Sequence, residues 1–314
     1  MKLSIVSTLY YSAPHLHEFH QRAKAVAQQF AGDDYEIVLV NDGSPDDSLA
    51  RAVNVADSDE HTMVVDLSRN FGHHKAMMTG LKYASGDLVF LIDSDLEEEP
   101  EWLMPFHDQM RRDDCDVVYG VQARRKGNLF EQWSGQLFYR LFRFLSGLNL
   151  PDNITVGRLM TRRYVRALIS HSEYEVFMAG LWVITGFDQR PYTVKKHSTS
   201  KTTYSLRKKV SQLVGSIASF SNIPLVGIFT IGCMIFAVSG CYTTFLVANW
   251  LFLARPPTGY TSLIASVWLL GGMIIAFIGV IGIYLSKIYS ETKRRPYTIV
   301  RRVYGGPSKE PEHV

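Results

Sequence analysis

The 314-residue sequence is poor in cysteine and carries little net charge. Its three cysteines, Cys115, Cys233 and Cys241, form no CxxC pair and no zinc-ligand spacing, which argues against a disulfide scaffold or a zinc site and favours a reduced, intracellular catalytic portion. The formal charge is only +3, and lysines and arginines cluster locally over 190–209 and 287–302 beside the apolar runs, which favours a membrane surface or a phosphate ligand over a nucleic-acid partner. No GxGxxG motif follows the first predicted strand, which argues against a nicotinamide dinucleotide site. The N-terminus, MKLSIVSTLYYSAP, lacks a cleavage site and reads as a first β-strand.

Two stretches near the C-terminus lack charge altogether. Residues 225–254 contain no charged side chain in 30 positions, and residues 261–286 contain none in 26. Because about 20 apolar residues cross a bilayer, both stretches predict transmembrane helices rather than the alternative, a buried helical hairpin. Lys and Arg precede the first stretch and follow the second, which places both ends in the cytoplasm by the positive-inside rule. Gly271 and Gly272 allow close helix contacts, within one chain or in a homo-oligomer.

Residues 1–120 alternate short β-rich runs with helical patterns. This alternation predicts an α/β domain with a mostly parallel sheet and flanking helices, and ligands bind such sheets at the carboxyl ends of the strands. VND at 40–42 and LIDSD at 91–95 lie at two such ends. We therefore expect a cytoplasmic domain over 1–210, a membrane region over 224–286 and a basic cytoplasmic tail over 287–314.

Residues 127–150 carry aromatic and aliphatic side chains at intervals of three and four, with Arg140 and Arg143 among them. The spacing predicts an amphipathic helix. It packs either on the core of the domain or, given the neighbouring membrane spans, in the membrane interface.

Two acidic strand ends are candidate sites for chemistry. Asp93 and Asp95 form an Asp-x-Asp turn that can hold a hard divalent cation, Mg²⁺ or Mn²⁺, which in turn binds phosphate oxygens, although acid-rich turns often only face solvent. Asp42, in VNDGSPDDS, is suited to bind a base or a ribose. The alternative is an Asx turn in which Asp46 or Asp47 caps the next helix.

A resemblance extends over nearly the whole chain, to about residue 303. Its motifs are STLYYSAPHL, VNDGSPDDS, LSRNFGHHKAMMTGL, FLIDSDLEEEPE, RLMTRRYV and IGIYLSKIYSETKRRPYTIVRRV. In this order they resemble the family 2 glycosyltransferases of the polyisoprenyl-phosphate type, such as bactoprenol glucosyltransferases and dolichol-phosphate mannose synthase-like enzymes. The resemblance implies a GT-A-type nucleotide-sugar-binding domain followed by two transmembrane helices, as in the two-span bacterial members.

The resemblance also implies roles for individual residues. The acidic turn supplies Asp93 for the ribose or diphosphate and Asp95 for the metal. His73 and His74 are expected to be polar lining of the site, since neither has a zinc-like partner. The nucleotide contacts are expected from the first strand, the NDGS turn and the RNFG segment, namely Thr8, Tyr10, Asp42, Ser68, Arg69, Asn70 and Gly72.

One position departs from the family pattern. Bacterial members commonly carry a GDFRLM-like segment whose aspartate is a candidate base, whereas this chain reads TVGRLM and has Val156 in its place. A lipid phosphate is already anionic near neutral pH and needs little deprotonation, so the loss matters less for that acceptor. Arg158 and Lys201, with Lys195 or Lys196, are the candidates to bind the phosphates, although this basic run also suits a solvated collar that sets topology.

The resemblance implies inverting transfer of a sugar from a nucleoside diphosphate donor, UDP-glucose or a relative, to undecaprenyl phosphate at the bacterial inner membrane. The product would serve O-antigen or other envelope glycans, with a flippase and a downstream transferase as further partners. Two alternatives stay open. One is a transferase to the hydroxyl group of a glycan or glycolipid, and the other is a non-catalytic scaffold that binds nucleotide sugar.

Overall fold

The structure is a computed structural model, and it describes residues 1–122, 144, 153–196, 221, 223–253 and 259–306. The described residues belong to two compact units. One is an α/β unit and the other contains the two long C-terminal helices. Lys201 and nearly all of the amphipathic segment predicted over 127–150 lie outside the described residues.

The α/β unit alternates strands and helices through its first half, as predicted. Its described elements are β1 (Leu3–Leu9), α1 (Leu16–Ala31), β2 (Tyr35–Asn41), α2 (Ser48–Ser58), β3 (Thr62–Leu67), α3 (His73–Tyr83), β4 (Leu88–Leu91), a 3₁₀ turn (Pro100–Trp102), α4 (Leu103–Asp113), β5 (Val117–Gln122), β6 (Ile154–Thr161), α5 (Arg162–Ile169), α6 (Met178–Ile184), β7 (Gln189–Val194) and β8 (Val300–Gly305). The strands form one sheet in the order β7-β5-β6-β4-β1-β2-β3-β8. The predicted α/β fold with a mixed, mostly parallel sheet is confirmed.

The four central strands, β4, β1, β2 and β3, run parallel to one another. Their carboxyl ends therefore meet at one edge of the sheet, where Leu9 of β1 pairs with Asn41 of β2. The neighbouring strand β6 runs antiparallel to both β4 and β5. This topology decides which loops gather around the site.

The central strands of the sheet are buried on both faces, and most of their side chains are apolar. One face packs against α1, which contributes Leu16, Phe19 and Ala23. The other face packs against α3, and the approach is close enough to require a glycine. A Cβ atom on Gly80 would lie 2.5 Å from Val6 Cγ1. Substitution there would force α3 away from β1 and shift the loop that precedes the helix.

The C-terminal segment corrects one expectation. The sequence indicated a basic tail over 287–314, but residues 300–305 form strand β8, antiparallel to β3 at the edge of the sheet. The strand is half-buried at Val300, Val303 and Tyr304 and exposed at the two arginines between them, which fits an edge strand without regular alternation. The α/β unit therefore includes residues from beyond the apolar helices.

Both predicted apolar stretches are helical. They are α7 (Ile223–Leu253) and α8 (Tyr260–Thr292). Among the described residues, one helical stretch, Leu270–Thr292, is long and apolar enough to cross a membrane, and Ile223–Ser239 is a shorter apolar helix. Large apolar side chains of α8, such as Ile275 and Ile278, are exposed. Two complete transmembrane spans stay a prediction.

Candidate active site

Three strand ends gather at the carboxyl edge of the parallel sheet. Thr8 is the penultimate residue of β1, Asp42 directly follows β2, and Asp93 follows β4 by two residues. The backbone continues the ladder into this region, because Ile92 N donates to Val6 O at 3.0 Å and Asp42 N donates to Leu9 O at 3.1 Å. The structure thus brings together the acidic strand ends that the sequence singled out.

His73 links the first strand end to the acidic turn. Thr8 Oγ1 lies 2.9 Å from His73 Nδ1, and His73 Nε2 lies 3.3 Å from Asp93 Oδ1. A neutral ring protonated at Nε2 would donate to Asp93 and accept from Thr8, and a charged ring would donate to both. Burial, the largest single influence, disfavours the charged ring, but the hydrogen bond to Asp93 and the charges of Asp93, Asp42 and Glu98 together raise the pKa of His73. Sequence reasoning gave His73 only a lining role, since no spacing rule connects residues 73 and 93.

His74 faces different partners. Its Nδ1 lies 3.3 Å from Val176 O, which the neutral ring reaches by donating, and the ring packs edge-on against Phe177. Burial, followed by the charge on His73, lowers the pKa of His74 to about 4. His74 therefore stays neutral and fastens the segment before α6 to α3.

Asp93 and Asp95 form the acidic turn after β4. Asp95 Oδ1 accepts the backbone N–H of Glu97 at 3.0 Å. Leu96, which lies between Asp95 and Glu97, has a φ of 60°. Burial, and then the charge of Asp93, raise the pKa of Asp95. The two carboxylates are thus held near each other at an electrostatic cost.

Among the residues described, no group of three or more His, Cys, Asp or Glu side chains is arranged to hold a metal ion. The Asp93 and Asp95 pair nevertheless fits Mg²⁺ or Mn²⁺. Both cations prefer oxygen ligands and keep coordination positions for water and diphosphate oxygens. A cation at the pair would also relieve the repulsion that raises the pKa of Asp95.

Glu98, which sequence reasoning missed, lies beneath the acidic turn. Its side chain is completely buried, and Oε1 accepts the backbone N–H of Val156 at 3.0 Å. The other oxygen, Oε2, has no hydrogen-bond partner among the described residues. Burial, and then the charge of Asp93, raise the pKa of Glu98 to about 8. The run of three glutamates in LEEEPE was the available signal, but the sequence did not show which of them turns inward.

Lys196 is the cation of this acidic region. Its Nζ lies 3.2 Å from Glu97 Oε2 and 3.7 Å from Glu98 Oε1. Burial opposes its charge, but Glu98, Asp93 and Asp95 together raise the pKa of Lys196, so it stays protonated. Of the two lysines weighed from the sequence, Lys196 points into the acidic cluster, whereas Lys195 is exposed.

Asp42 fastens the RNFG segment to β2. Its carboxylate accepts the N–H of Phe71 at 2.7 Å and that of Gly72 at 3.0 Å. Gly72 is the residue before α3, so the carboxylate lies at the positive end of that helix. Burial raises the pKa of Asp42 despite these two bonds. The structure therefore shows Asp42 shaping the loop, in addition to the ligand-binding role expected of it.

The NDGS turn and the RNFG segment are packed directly together. Gly43 has a φ of 58°, and a Cβ atom there would lie 2.5 Å from the carbonyl carbon of Arg69 and closer still to Asn70 N. The Arg69 guanidinium lies 4.1 Å from the centre of the Phe71 ring and donates to Asn70 O. These predicted nucleotide contacts therefore form one surface with Asp42.

Tyr10 completes this surface at the end of β1. Its side chain is 49% exposed, and its ring packs edge-on against Tyr11 at 4.8 Å between centroids. Its backbone N–H is held by Ser12 Oγ at 3.1 Å. An exposed aromatic face fixed at its backbone is suited to stacking on a base.

Comparison with known proteins decides the family. The Glycosyl transferase family 2 profile matches residues 4–169, and a Mycobacterium tuberculosis (strain CDC 1551 / Oshkosh) protein described as belonging to the glycosyltransferases is 49% identical over 100% of this chain and 92% of its own length. The chain belongs to glycosyl transferase family 2. The fold, the family and these relatives together establish it as a glycosyltransferase with a GT-A-like α/β domain.

This family 2 transferase is also similar to the SfII prophage-derived bactoprenol glucosyl transferase of Shigella flexneri, which is 31% identical over 98% of this chain and 99% of that protein. Among solved structures, glucosyl-3-phosphoglycerate synthase from Mycobacterium tuberculosis, in complex with Mn²⁺, UDP and glucosyl-3-phosphoglycerate, aligns with a TM-score of 0.46 and 18% identity, over 70% of this chain and 80% of that one.

The transferase holds Arg158 away from solvent. The residue is 1% exposed, its guanidinium lies 3.0 Å from the centre of the Trp182 ring, and it donates to the carbonyls of Val156 and Thr155. Burial lowers the pKa of Arg158 to about 9. This arrangement therefore does not support the expected direct contact of Arg158 with a phosphate. The guanidinium instead stabilises β6. Lys201, the other candidate, lies outside the described residues.

Proposed function

We propose that this transferase moves a sugar from a nucleoside diphosphate donor, UDP-glucose or a related sugar nucleotide, to undecaprenyl phosphate on the cytoplasmic leaflet of the bacterial inner membrane. The observation that carries the proposal is the end-to-end similarity to the bactoprenol glucosyl transferase, which extends through the apolar helices as well as the α/β unit. The stretch Leu270–Thr292, long and apolar enough for a bilayer, suits a lipid acceptor.

The donor is assigned to the carboxyl edge of the sheet. Tyr10, Asp42 and the RNFG segment would hold the nucleotide, and Asp93 with Asp95 would hold Mg²⁺ or Mn²⁺ against the diphosphate. When bound, such a cation supplies charge neutralisation for the departing diphosphate. The chain contributes the orientation, because Asp42 fixes the loop over the nucleotide and His73 fixes Asp93.

The acceptor chemistry agrees with Val156 at the family's aspartate position. An undecaprenyl phosphate oxygen is anionic near neutral pH, since the second pKa of a phosphomonoester is about 6, and it can attack the anomeric carbon without a protein base. Positioning and charge compensation are then the main tasks. We assign charge compensation to Lys196, whose Nζ lies 3.2 Å from Glu97 Oε2 just after the acidic turn, with Lys201 as a second candidate.

We also propose two transmembrane spans, within α7 and α8, with both ends of the chain cytoplasmic. The uncharged runs 225–254 and 261–286 and the flanking lysines and arginines support this topology. Reporter fusions after residue 222, within 255–259 and after residue 294 test it. The middle fusion should be periplasmic and the other two cytoplasmic, and a cytoplasmic middle fusion would contradict two spans. A lipid-linked product on the inner leaflet would then require a flippase before any downstream transferase.

The decisive experiment is transfer of radiolabelled sugar by membranes that contain the protein. A panel of nucleotide sugars is tested with undecaprenyl phosphate and Mg²⁺ or Mn²⁺, and with diacylglycerol as a hydroxyl acceptor. Asp95→Asn serves as the inactive control, because it removes one carboxylate ligand while preserving size. A mild-acid-labile labelled lipid supports the proposal and identifies the donor. An acid-stable glycolipid favours the hydroxyl acceptor, and nucleotide binding without any transfer favours the scaffold.

A further inference from the structure

Strand β8 brings Arg301 to the edge of the sheet beside the RNFG segment. Arg301 Nη2 donates to the backbone carbonyl of Ser68 at 2.7 Å, and Nη1 lies 3.5 Å from Asp66 Oδ2. The backbone adds a further bond, because Ser68 N donates to Ile299 O at 2.9 Å. The residue that precedes the RNFG segment is thus held from the C-terminal region on both its N–H and its carbonyl.

An irregularity in the β3–β8 ladder gives Arg301 this position. Asp66 pairs with Arg302, whereas Leu67 pairs with Val300, so the register skips Arg301. Such bulges redirect a side chain that regular alternation would turn elsewhere. The bulge lies opposite the end of β3, just before the loop, where a guanidinium can reach both the strand and the loop.

The contact with Asp66 reaches a second loop. Asp66 is 1% exposed, and its Oδ1 accepts from Asn41 Nδ2 at 2.8 Å. Within the part of the chain that the structure describes, its Oδ2 accepts no hydrogen bond. Arg301 is therefore the charge that faces this buried oxygen. Asn41 Oδ1 in turn accepts the N–H of Ser44 at 3.3 Å within the NDGS turn. Arg301 is connected through Asp66 and Asn41 to the turn that carries Asp42.

We propose that Arg301 is a positioning residue for donor binding, which sets the NDGS turn through Asp66 and the RNFG segment through Ser68. The inference rests on the proposed function for the assignment of these loops to the nucleotide. It follows that the donor site is complete only when β8, which comes after both apolar helices in the chain, is docked on β3. The fold therefore makes nucleotide binding depend on a segment remote in sequence from the nucleotide-site motifs.

Arg302 provides a matched control, because it is the neighbouring arginine on the same strand and its guanidinium lies over the Tyr304 ring at 4.9 Å. The full-length protein in detergent is titrated with UDP, and with GDP in parallel, by calorimetry in the presence of Mn²⁺. We expect Arg301→Ala to raise the nucleotide Kd about tenfold, as loss of a charge-assisted bond does, and Arg302→Ala to change it less than about twofold. Arg301→Lys should rescue part of the loss, since one ammonium cannot match both contacts.

In the transfer assay, Arg301→Ala should raise the donor KM while the acceptor KM and the kcat at saturating donor stay within about twofold. Amide hydrogen exchange should rise over 41–47 and 68–72 in Arg301→Ala alone. Unchanged nucleotide affinity and unchanged exchange would overturn the inference, and so would equal losses in the two alanine variants, which would indicate a general effect of the edge strand. If the wild-type protein transfers no sugar or binds neither nucleotide, the proposed function fails, and the exchange measurement still decides the role of Arg301.

Discussion

His73 stands between Thr8 and Asp93 and joins the end of β1 to the acidic turn after β4, with its Nε2 atom 3.3 Å from Asp93 Oδ1. It is also the first residue of α3, directly after the glycine whose N–H is held by Asp42. The arrangement connects the end of β1 to the acidic turn through one ring. Asp93 is thereby oriented before any ligand arrives.

We expect His73→Ala to lower kcat/KM for the donor by about 10- to 100-fold, because it removes a bond to a charged carboxylate worth about 1.5–3 kcal/mol. His74→Ala is the matched control, since His74 contacts Val176 and not the acidic turn. This control should lower kcat/KM for the donor by less than about threefold. Steady-state transfer kinetics distinguish the two variants. Equal losses in both would show that the effect is general to the start of α3.

Gly43→Ala tests the contact between the NDGS turn and the RNFG segment, the two loops proposed to bind the nucleotide. The substitution should abolish measurable donor binding, because the new Cβ would collide with the backbone of Arg69 and Asn70. Gly32→Ala is the control, since Gly32 has a similar φ of 62° but no heavy atom within 4 Å of the place that a Cβ would take. A positive φ strains an alanine by about 1–3 kcal/mol in each variant. Nucleotide affinity that falls equally in both would assign the effect to backbone strain alone.

Glu98 should tolerate glutamine better than alanine at pH 7. With a pKa raised to about 8 by burial, the carboxyl is largely neutral at that pH, and glutamine can still accept the Val156 N–H. Alanine leaves this N–H unsatisfied and opens a cavity, at a cost of about 1–3 kcal/mol for the hydrogen bond alone. Thermal unfolding and transfer activity are measured together. A glutamine variant as impaired as the alanine variant would show that the ionised carboxylate is required.

His74 should make the stability of the α/β unit fall in mild acid. Its folded pKa of about 4 lies below the ordinary value of 6.5, so the unfolded chain takes up the proton first as the pH falls through this interval. The resulting loss in the free energy of unfolding is absent above about pH 6.5 and reaches at most about 3 kcal/mol near pH 4. His74→Gln keeps a donor for Val176 O and removes the titration. The apparent Tm should therefore drop less between about pH 6.5 and pH 4.5 in this variant, and an identical drop would assign the acid sensitivity to other groups.

The sequence by itself determined the elements and the chemistry of their ends. Apolar, β-rich runs that alternate with amphipathic helices can bury their surfaces only as a parallel sheet covered by helices, and this sheet was found. The same reasoning placed Asp42 and the Asp93 and Asp95 pair at one edge, because parallel strands end on the same side. The patterning of apolar residues and the acidic strand ends are local features of the sequence, so both can be recognised without the structure.

Tertiary structure decided the connections between those ends. The bridge from Thr8 through His73 to Asp93, and the inward turn of Glu98 toward Val156, join residues tens of positions apart, and no periodicity encodes them. Arg158 shows the opposite case, because a charged residue expected to meet a ligand is instead buried against Trp182.

Strand β8 shows why the prediction of a basic tail failed. Six residues rich in arginine read as a tail because an edge strand needs only a neighbour with unpaired backbone groups, and that neighbour, β3, lies more than 200 positions earlier in the chain. The sequence determined which residues bear charge and which strands form the central sheet. Only the packed fold decided which charge faces which loop, because that depends on register and burial across distant segments.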